Sequence, residues 1–535
     1  MKRTSLSPLL LALIGGFAAA LAQPPFGILP GLLGYGLIFA VVDLSRGKAR
    51  LRSAFLRAWL GGCAYFVVSL WWLAEPFQVD AAHQGWMAPF AVAFTAMFMA
   101  LFWGSAGALY RALAGRTAAR AMLFAAALSL CEWLRGHILT GFPWDLPGAS
   151  WRAGSAPSQI ASIVGVYGLT WITLALACAP FTVREGRGGK LATLFAAITV
   201  AGLYGLGAAR LARDRPARTS APWVRVVQAD VRQESKYDAR VFNDIVARYV
   251  RLTSLPSPHP IAAVIWPEGA IPAALEDYLA PGTATRDTIA QAFGPAETLV
   301  LGGYRYGSDE TGAPTIFNSL AVIRHLGGAL AVEGVYDKYR LVPFGEFMPL
   351  DSLASRLGIK AMVHVGDGFS AGAPPRPLGV AGLPLMQPLI CYEALYSGFT
   401  RAGAKASGQR AAWIVNISND AWFGAGLGPR QHLNLASYRA IEEGLPMVRA
   451  TPTGISAIID AFGRIVPGES LGEGAFGVID ARLPPALAPT LFDLWGDGAF
   501  WAMLVLSLVG VRSFKRAKVQ SARKEKGGTF RPRPL

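Results

Sequence analysis

Apolar segments long enough to cross a lipid bilayer recur from the first residues onward, and they constrain this chain more than any other feature. They fall at about Leu6–Ala22, Ile28–Leu44, Ala58–Leu73, Met87–Tyr110, Ala121–Leu134, Gln159–Phe181 and Leu191–Ala209, with one more near the end at about Gly498–Val511. A spanning helix needs about 20 mostly apolar residues, which makes about eight spans, the fifth and eighth extending into their flanks. Charged residues make up only 16% of the 535 residues and hydrophobic ones 53%, where soluble domains carry roughly 25% charged.

The loops set an orientation. Lys2 and Arg3 precede the first span. Arg46, Lys48, Arg50, Arg52 and Arg57 lie between the second and third, Arg111, Arg116 and Arg120 between the fourth and fifth, and Arg184, Arg187 and Lys190 between the sixth and seventh. The alternate loops Gln23–Gly27 and Glu75–Gly85 have no Lys or Arg, and Arg135 to Arg152 has only those two. Basic loops face the cytoplasm. Seven crossings then put the polar middle of the chain outside the cytoplasmic membrane, and the eighth returns the basic tail from Arg512 to Arg533. Arg210, Arg213, Arg215 and Arg218 run against this, but long domains translocate largely regardless of such charge. Lys2-Arg3 with Ala20-Leu21-Ala22 also fits a cleavable leader; the next span follows almost at once, which favours retention. Trp71, Trp72, Trp133 and Trp144 near span ends are expected as interfacial anchors; Glu132 and Arg135 at the end of the fifth span read as functional intramembrane charges or, in preference, as a local pair at the interface. The net charge of +16 follows this loop pattern, so a nucleic-acid partner is not indicated. The six histidines are scattered, with no CxxC or HExxH, and neither a metal nor another cofactor is expected.

From about Trp223 to Leu483 short β-rich runs alternate with helix-like segments. The runs are Val224–Val231, Ala262–Trp266, Thr298–Tyr304, Ser319–Ile323, Leu383–Ile390, Trp413–Ile417, Met447–Ala450, Ala457–Ile459 and Phe476–Ile479; the helices include Ala239–Leu252, Arg286–Ala292 and Arg430–Glu443. Several runs are apolar throughout, as in sheets covered on both faces, which predicts a layered α/β domain. The expected division is a membrane domain of about seven helices over 1–210, the α/β domain over 220–487, a final span over 495–512 and a tail over 513–535.

Three strand ends carry charge or a thiol that a core does not need. Ile265-Trp266-Pro267 leads to Glu268. Tyr336-Asp337 leads to Lys338, and Leu341-Val342-Pro343-Phe344-Gly345 to Glu346. Pro388-Leu389-Ile390 delivers Cys391, followed by Tyr392 and Glu393. Of four cysteines, Cys63, Cys131 and Cys178 lie in apolar segments, so Cys391 is the only thiol in the polar part and has no local disulfide partner. A carboxylate, an ammonium and a thiol converging at one sheet edge make a base, a cation and a nucleophile.

WPE, DKxxLVPFGE and CYE in this order resemble the nitrilase (carbon–nitrogen hydrolase) superfamily with its Glu-Lys-Cys triad. The same domain between seven spans and a final one resembles the apolipoprotein N-acyltransferases. Ser418-Asn419-Asp420-Ala421-Trp422-Phe423-Gly424 and the helix bearing Gln431, His432, Arg439 and Glu442 match further. One departure is Lys236-Tyr237-Asp238, where the family often has Trp in place of Tyr237.

The resemblance implies a multi-pass α-helical membrane domain joined to an α/β nitrilase-like αββα sandwich, with Glu268, Lys338 and Cys391 as the catalytic triad. Glu268 is expected to take the thiol proton, burial raising its proton affinity, and Lys338 to stabilise the thiolate and the tetrahedral oxyanion. Glu346, Tyr392 and Glu393 are expected to support the site, and Tyr237, Trp422 and Phe423 to contact substrate. The implied reaction moves a fatty acyl chain from a membrane phospholipid onto Cys391, then onto the α-amine of an S-diacylglyceryl-cysteine at the N-terminus of an apolipoprotein. The implied place is the bacterial inner membrane, as a monomer with the catalytic domain on the periplasmic side. Phe347–Phe369, with its scattered apolar residues, is expected to form a mobile lid or else an ordinary surface loop. Two other readings use the same residues: a membrane-tethered amidase or nitrilase acting on a small amide, and a transporter with an appended binding domain, which would carry more charged or broken helices at mid-membrane.

Overall fold

The computed structural model describes residues 6–114, 119–213, 218–294, 297–309, 311–326, 329–349 and 368–510. Arg116, Arg215, the basic tail from Arg512 and all but the ends of Phe347–Phe369 lie outside them.

Small residues determine how the N-terminal helices approach. Helix α1 (Pro8–Leu21) starts at Ser7, whose Oγ accepts a hydrogen bond from the Leu10 amide at 3.2 Å. It runs so close to α3 (Arg50–Ser69) that a side chain on Gly16 would meet the Gly61 carbonyl. In the same way, α2 (Leu33–Asp43) places Gly36 against the Ala177 carbonyl. Such contacts replace hydrophobic drive where the surroundings are themselves apolar. Ala81–Leu113, Pro157–Thr182 and Arg187–Leu211 are long and apolar enough to cross a membrane; Arg50–Ser69 with Trp71–Gln78, bent by 46°, makes a fourth if taken as one span. Pro8–Leu21, Leu29–Asp43 and Gly498–Gly510 are shorter apolar helices. Large apolar side chains such as Phe90, Phe94, Phe195, Ile198 and Leu206 point outward, a belt too large for water and suited to lipid.

The helix Arg120–His137 differs from the sequence expectation. Glu132 and Arg135 do pair, as helix neighbours three residues apart, but inside the bundle rather than at an interface, both fully buried. Trp103 Nε1 donates to Glu132 Oε1 at 2.7 Å, and Arg135 Nη1 donates to the Phe142 carbonyl at 2.5 Å. Their charge is satisfied internally and fixes the loop that follows. Trp72 and Trp144 are likewise buried against each other, 4.5 Å between ring centroids, while Trp71 is exposed.

Two sheets form the C-terminal half. The first has the order β11-β1-β2-β3-β4-β5, the second β10-β9-β8-β7-β6. In the first, β1 (Trp223–Ala229), β2 (Ile261–Ile265) and β3 (Thr298–Ser308) are parallel, flanked by antiparallel β11 (Phe476–Arg482) on one side and β4 (Pro314–Leu326) and β5 (Ala329–Asp337) on the other. In the second, β6 (Met386–Ile390), β7 (Trp413–Ile417) and β8 (Met447–Ala450) are parallel, and β9 (Ser456–Ile459) and β10 (Ile465–Leu471) run antiparallel. Val224, Val226, Ile265 and Val300 pack on Ile390, Val415, Ile417 and Ala450 between the sheets. The outer face of the first sheet is covered by the helices Phe242–Thr253 and Ala284–Ala292, through Val227, Tyr249, Leu299 and Ile289. This is the expected αββα sandwich.

The outer face of the second sheet is not a surface. Leu389, Ile414 and Met447 belong to one continuous core with the N-terminal helices, through the helix Leu427–Glu443. That helix carries polar residues all round yet is buried on nearly every face. A polar helix can be buried this way only if its side chains find partners, and they do. Gln431 Oε1 accepts from Trp144 Nε1 at 2.9 Å, Asn434 Nδ2 donates to the Ala149 carbonyl at 3.0 Å, and Glu442 Oε1 accepts from the Val166 amide at 2.8 Å. The matched residues Gln431 and Glu442 therefore join the two halves.

Candidate functional site

Strand ends bring the predicted residues together. Beyond β2, the Trp266 amide donates to the Val300 carbonyl at 2.8 Å, extending the pairing by one residue before Pro267 turns the chain. Glu268 then points between the sheets, almost fully buried. Beyond β5, the Lys338 amide donates to the Asn318 carbonyl of β4 at 2.8 Å. This sends the Lys338 side chain to the same place, 1% exposed. Beyond β6, Cys391 takes a left-handed backbone with φ of +50°, costly for a residue with a Cβ. Strain of this kind gathers at functional sites, and it lifts the thiol out of line with the strand that delivers it.

Lys338 Nζ lies 2.7 Å from Glu346 Oε1 and 3.2 Å from Glu268 Oε1. Asn318 Nδ2 donates to both of those oxygens at 2.7 Å. Glu268 Oε2 accepts from the Asn419 amide at 2.7 Å, and Glu346 Oε2 from the Val342 amide at 2.8 Å. One ammonium and one amide thus tie two carboxylates into a single network, and Glu346 shares Lys338 directly.

Charge settles the protonation states. Burial works to raise Glu268, but the Lys338 charge and hydrogen bonds from Asn318, Lys338 and the Asn419 amide outweigh it and hold the carboxyl below its ordinary range. Burial works to lower Lys338, yet Glu268 and Glu346 hold it above its usual value. The Cys391 thiol is pushed up by burial and by the Glu268 charge, with Lys338 opposing. This corrects one expectation: burial does not prevail at Glu268. The resting arrangement is a carboxylate, an ammonium and a neutral thiol.

Glu393 and Tyr392 do not line an open pocket. Glu393 Oε2 accepts from the Ile390 amide at 2.8 Å, while Oε1 accepts from the Tyr339 amide at 2.8 Å, the Arg340 amide at 3.1 Å and Tyr336 Oη at 2.8 Å. It clamps the Cys391 turn to the Lys338 loop, and burial raises it to about 7 against those donors. Tyr392 Oη donates to the Gly141 carbonyl at 2.5 Å, reaching into the helical half. Phe423 packs on Trp72 at 4.7 Å and on His432 at 5.4 Å, a docking contact between halves. Trp422 is half-buried and Tyr237 is 68% exposed, its Oη 3.4 Å from the Gln233 Nε2 that donates to it.

Asp420, His432 and Arg449 form a fully buried group beneath the thiol. Arg449 Nη2 donates to Asp420 Oδ2 at 2.7 Å, Ser418 Oγ donates to Oδ1 at 2.6 Å, and His432 Nε2 lies 3.3 Å from the Cys391 carbonyl. Burial opposes ionisation of Asp420, but Arg449 and His432 hold it well below the carboxylate range. Burial and Arg449 lower His432, which leaves a neutral ring supporting the backbone of Cys391. Sequence reasoning missed Asn318; it lies just before the predicted run Ser319–Ile323, beside another polar residue, and nothing local set it apart. Among the described residues no group of three or more His, Cys, Asp or Glu could hold a metal ion.

Residues 15–179 match the family model described as apolipoprotein N-acyltransferase N-terminal domain, and 224–490 that described as carbon–nitrogen hydrolase. The apolipoprotein N-acyltransferase of Caulobacter vibrioides is 52% identical over 515 residues, 96% of each chain. That of Bradyrhizobium diazoefficiens is 36% identical over 526 residues, 95% of each. Among solved structures, a nitrilase-superfamily amidase from Nesterenkonia is 18% identical, with a TM-score of 0.33 over 50% of this chain and 93% of that one. With both domains matched and relatives of this identity along nearly its whole length, the chain belongs to the apolipoprotein N-acyltransferase family.

Proposed function

We propose that this acyltransferase works through a thioester on Cys391, drawing its acyl chain from a membrane phospholipid and delivering it to the α-amine of an S-diacylglyceryl-cysteine on an apolipoprotein. The observation that carries this reading is the pairing of an ionised Glu268 and a charged Lys338 at the strained turn of a neutral thiol.

In the first step the Cys391 sulfur bonds to the ester carbonyl carbon as its proton moves to Glu268. Lys338 Nζ faces the developing oxyanion. The carbon–oxygen bond then breaks, and the proton passes from Glu268 to the leaving lysophospholipid hydroxyl. In the second step the amine nitrogen bonds to the thioester carbon, the carbon–sulfur bond breaks, and the amine proton returns through Glu268 to sulfur. Because Glu268 is held low and the thiol high, a free thiolate is unfavourable at rest, so proton transfer accompanies attack. Glu346 holds Lys338 in place through both steps. The 7% exposure of Cys391 keeps bulk water from the thioester, which would otherwise hydrolyse.

The chain acts as a monomer in the bacterial inner membrane, crossing it about eight times, with the sandwich on the periplasmic side. The basic-loop pattern and the outward apolar belt support this placement. Intact-protein mass spectrometry after mixing the purified chain with phospholipid tests the reading. A mass gain of one acyl chain, absent in Cys391→Ala, is expected. No gain from phospholipid, with turnover of small amides instead, would move the chain to the amidase reading.

A further inference from the structure

Lys236 is a buried cation without a protein partner. It lies in the short turn Glu234–Tyr237 that follows β1, with its stem half-exposed and its ammonium fully enclosed. No hydrogen-bond acceptor reaches Nζ. The ammonium sits over Gly269, the residue after Glu268; a methyl group there would lie 3.5 Å from Nζ. Glu268 is the charge that acts on it, but both Glu268 oxygens are already engaged by Asn318, Lys338 and the Asn419 amide. The turn is held over the site from beside: Gln233 Oε1 accepts from Asn419 Nδ2 at 2.9 Å.

A desolvated ammonium with nothing to donate to is unfavourable unless a ligand supplies the acceptor. The ligand must be anionic and must arrive beside Glu268. The tetrahedral oxyanion already has a cation, Lys338, whose charge acts directly on the Cys391 thiol. The acceptor amine carries no negative group at its reacting end. The donor does: a glycerophospholipid brings a phosphodiester attached to the same glycerol as the ester that Cys391 attacks.

We propose that Lys236 binds the phosphate of the phospholipid donor, placing the glycerol ester over Cys391, and releases it with the lysophospholipid. The assignment rests on the thioester reading above. In it Lys236 is a substrate-binding residue, distinct from Lys338, and it selects donors with a phosphate over neutral esters. After the first step, departure of the anionic product again leaves the ammonium bare. Lysophospholipid therefore competes with incoming phospholipid.

The test compares two acyl donors, a phosphatidylglycerol vesicle and the neutral ester p-nitrophenyl palmitate, by the rate at which Cys391 gains an acyl mass. Lys236→Met is expected to lower the phospholipid-to-neutral-ester rate ratio by roughly 10- to 100-fold, the range of one charge-assisted hydrogen bond, and Lys236→Arg to restore most of it. Equal loss with both donors would place Lys236 in the thiol chemistry and overturn the proposal, as would no change in the ratio. Inorganic phosphate separates the two sources of this chemistry. The proposal expects it to inhibit far less than lysophosphatidylglycerol; equal inhibition would mean a free-phosphate site and overturn the assignment to the donor. Labelling of Cys391→Ala by p-nitrophenyl palmitate would instead refute the thioester reading, independently of Lys236.

Discussion

Lys338 Nζ lies closer to Glu346, at 2.7 Å, than to Glu268, at 3.2 Å. The residue that would serve as the base is thus the looser of two partners to the same ammonium. A base that must take and return a proton works best when its counter-charge is shared. Removing Glu346 would draw Lys338 fully onto Glu268, deepen its ion pair and weaken it as a base. Glu346→Ala is expected to slow thioester formation roughly 10²-fold, the loss typical of a misplaced electrostatic group. Time-resolved intact-mass measurement of acyl-enzyme checks this, and a near-normal rate would reduce Glu346 to scaffold.

Glu268→Ala and Lys338→Ala are expected to remove turnover to a similar degree, on the order of 10²–10³-fold or more, because each takes away a charge the other needs. Their effects should be far from additive in Glu268→Ala/Lys338→Ala. A near-normal rate in either single variant would take that residue out of the machinery.

Much of this site was legible before any coordinates. β7 and β8 match the predicted runs residue for residue, and β1 and β2 match to within two at each end, because buried parallel strands are apolar on both faces; antiparallel β9 matches to within one, since it too is buried throughout. β5 and β10 were missed. β5 is an edge strand carrying Glu333 and Gly334 with mostly exposed or half-exposed residues, and β10 includes Pro467 and Gly468 on an edge. Glu333-Gly334 interrupts the apolar residues of β5 and Pro467-Gly468 those of β10, so neither gives a continuous run or an alternation. Glu268 and Cys391 could be singled out because each follows a recognisable strand, whereas Lys338 was marked by the DKxxLVPFGE motif and not by its strand. The roles of Glu393 and Tyr392 were not legible, since a clamp onto backbone amides and a bond to a loop 251 residues away leave no local trace. The same holds for Trp144, whose position near a span end hid a contact with Phe423.

The pH dependence of thioester formation follows from the shifts. Glu268 is held below its ordinary range, so its carboxylate persists as pH falls through about 4.3, the usual Glu value, and is lost only further down. Lys338 is held above its own and stays charged through the alkaline range. Glu393, raised to about 7 by burial, ionises first as pH rises, but it acts with either donor; the group that separates the donors is Lys236, lowered to about 8 by burial with Glu268 opposing. With phospholipid donor the rate is expected to fall as pH rises through 8, and with Lys236→Arg to stay level, since a guanidinium does not titrate there. The same alkaline fall with p-nitrophenyl palmitate would sink this account.

Glu393 accepts four hydrogen bonds from three segments. Glu393→Ala would leave those donors buried without acceptors, at about 1–3 kcal/mol for each unsatisfied group. The variant is expected to lose at least ~3 kcal/mol, read as a lowered Tm for the purified chain in detergent. Tyr336→Phe removes one donor along with its partner's need for it and should cost about 1 kcal/mol. If Glu393→Ala unfolds at the wild-type temperature yet is inactive, Glu393 serves the substrate and not the turn.

Tyr392 and Tyr396 both reach the Gly141 carbonyl, at 2.5 and 3.0 Å, and Tyr396 also reaches that of Thr140. Leu139, Thr140 and Gly141 all have positive φ, between +53° and +82°, an arrangement that needs outside support for its first two residues. The nucleophile turn and a strained loop of the helical half therefore hold each other in place. Because the two hydroxyls share an acceptor, either alone keeps the Gly141 carbonyl satisfied. Tyr392→Phe and Tyr396→Phe should each cost about 1 kcal/mol or less, whereas Tyr392→Phe/Tyr396→Phe leaves a buried carbonyl bare and should lose more than the sum. The acylation rate should follow the same order, since a turn displaced by about 1 Å can lose roughly 10²-fold. A double-mutant cycle on acyl-enzyme formation decides it: additive effects would mean that the two tyrosines merely pack, and that the thiol is positioned by its own domain alone.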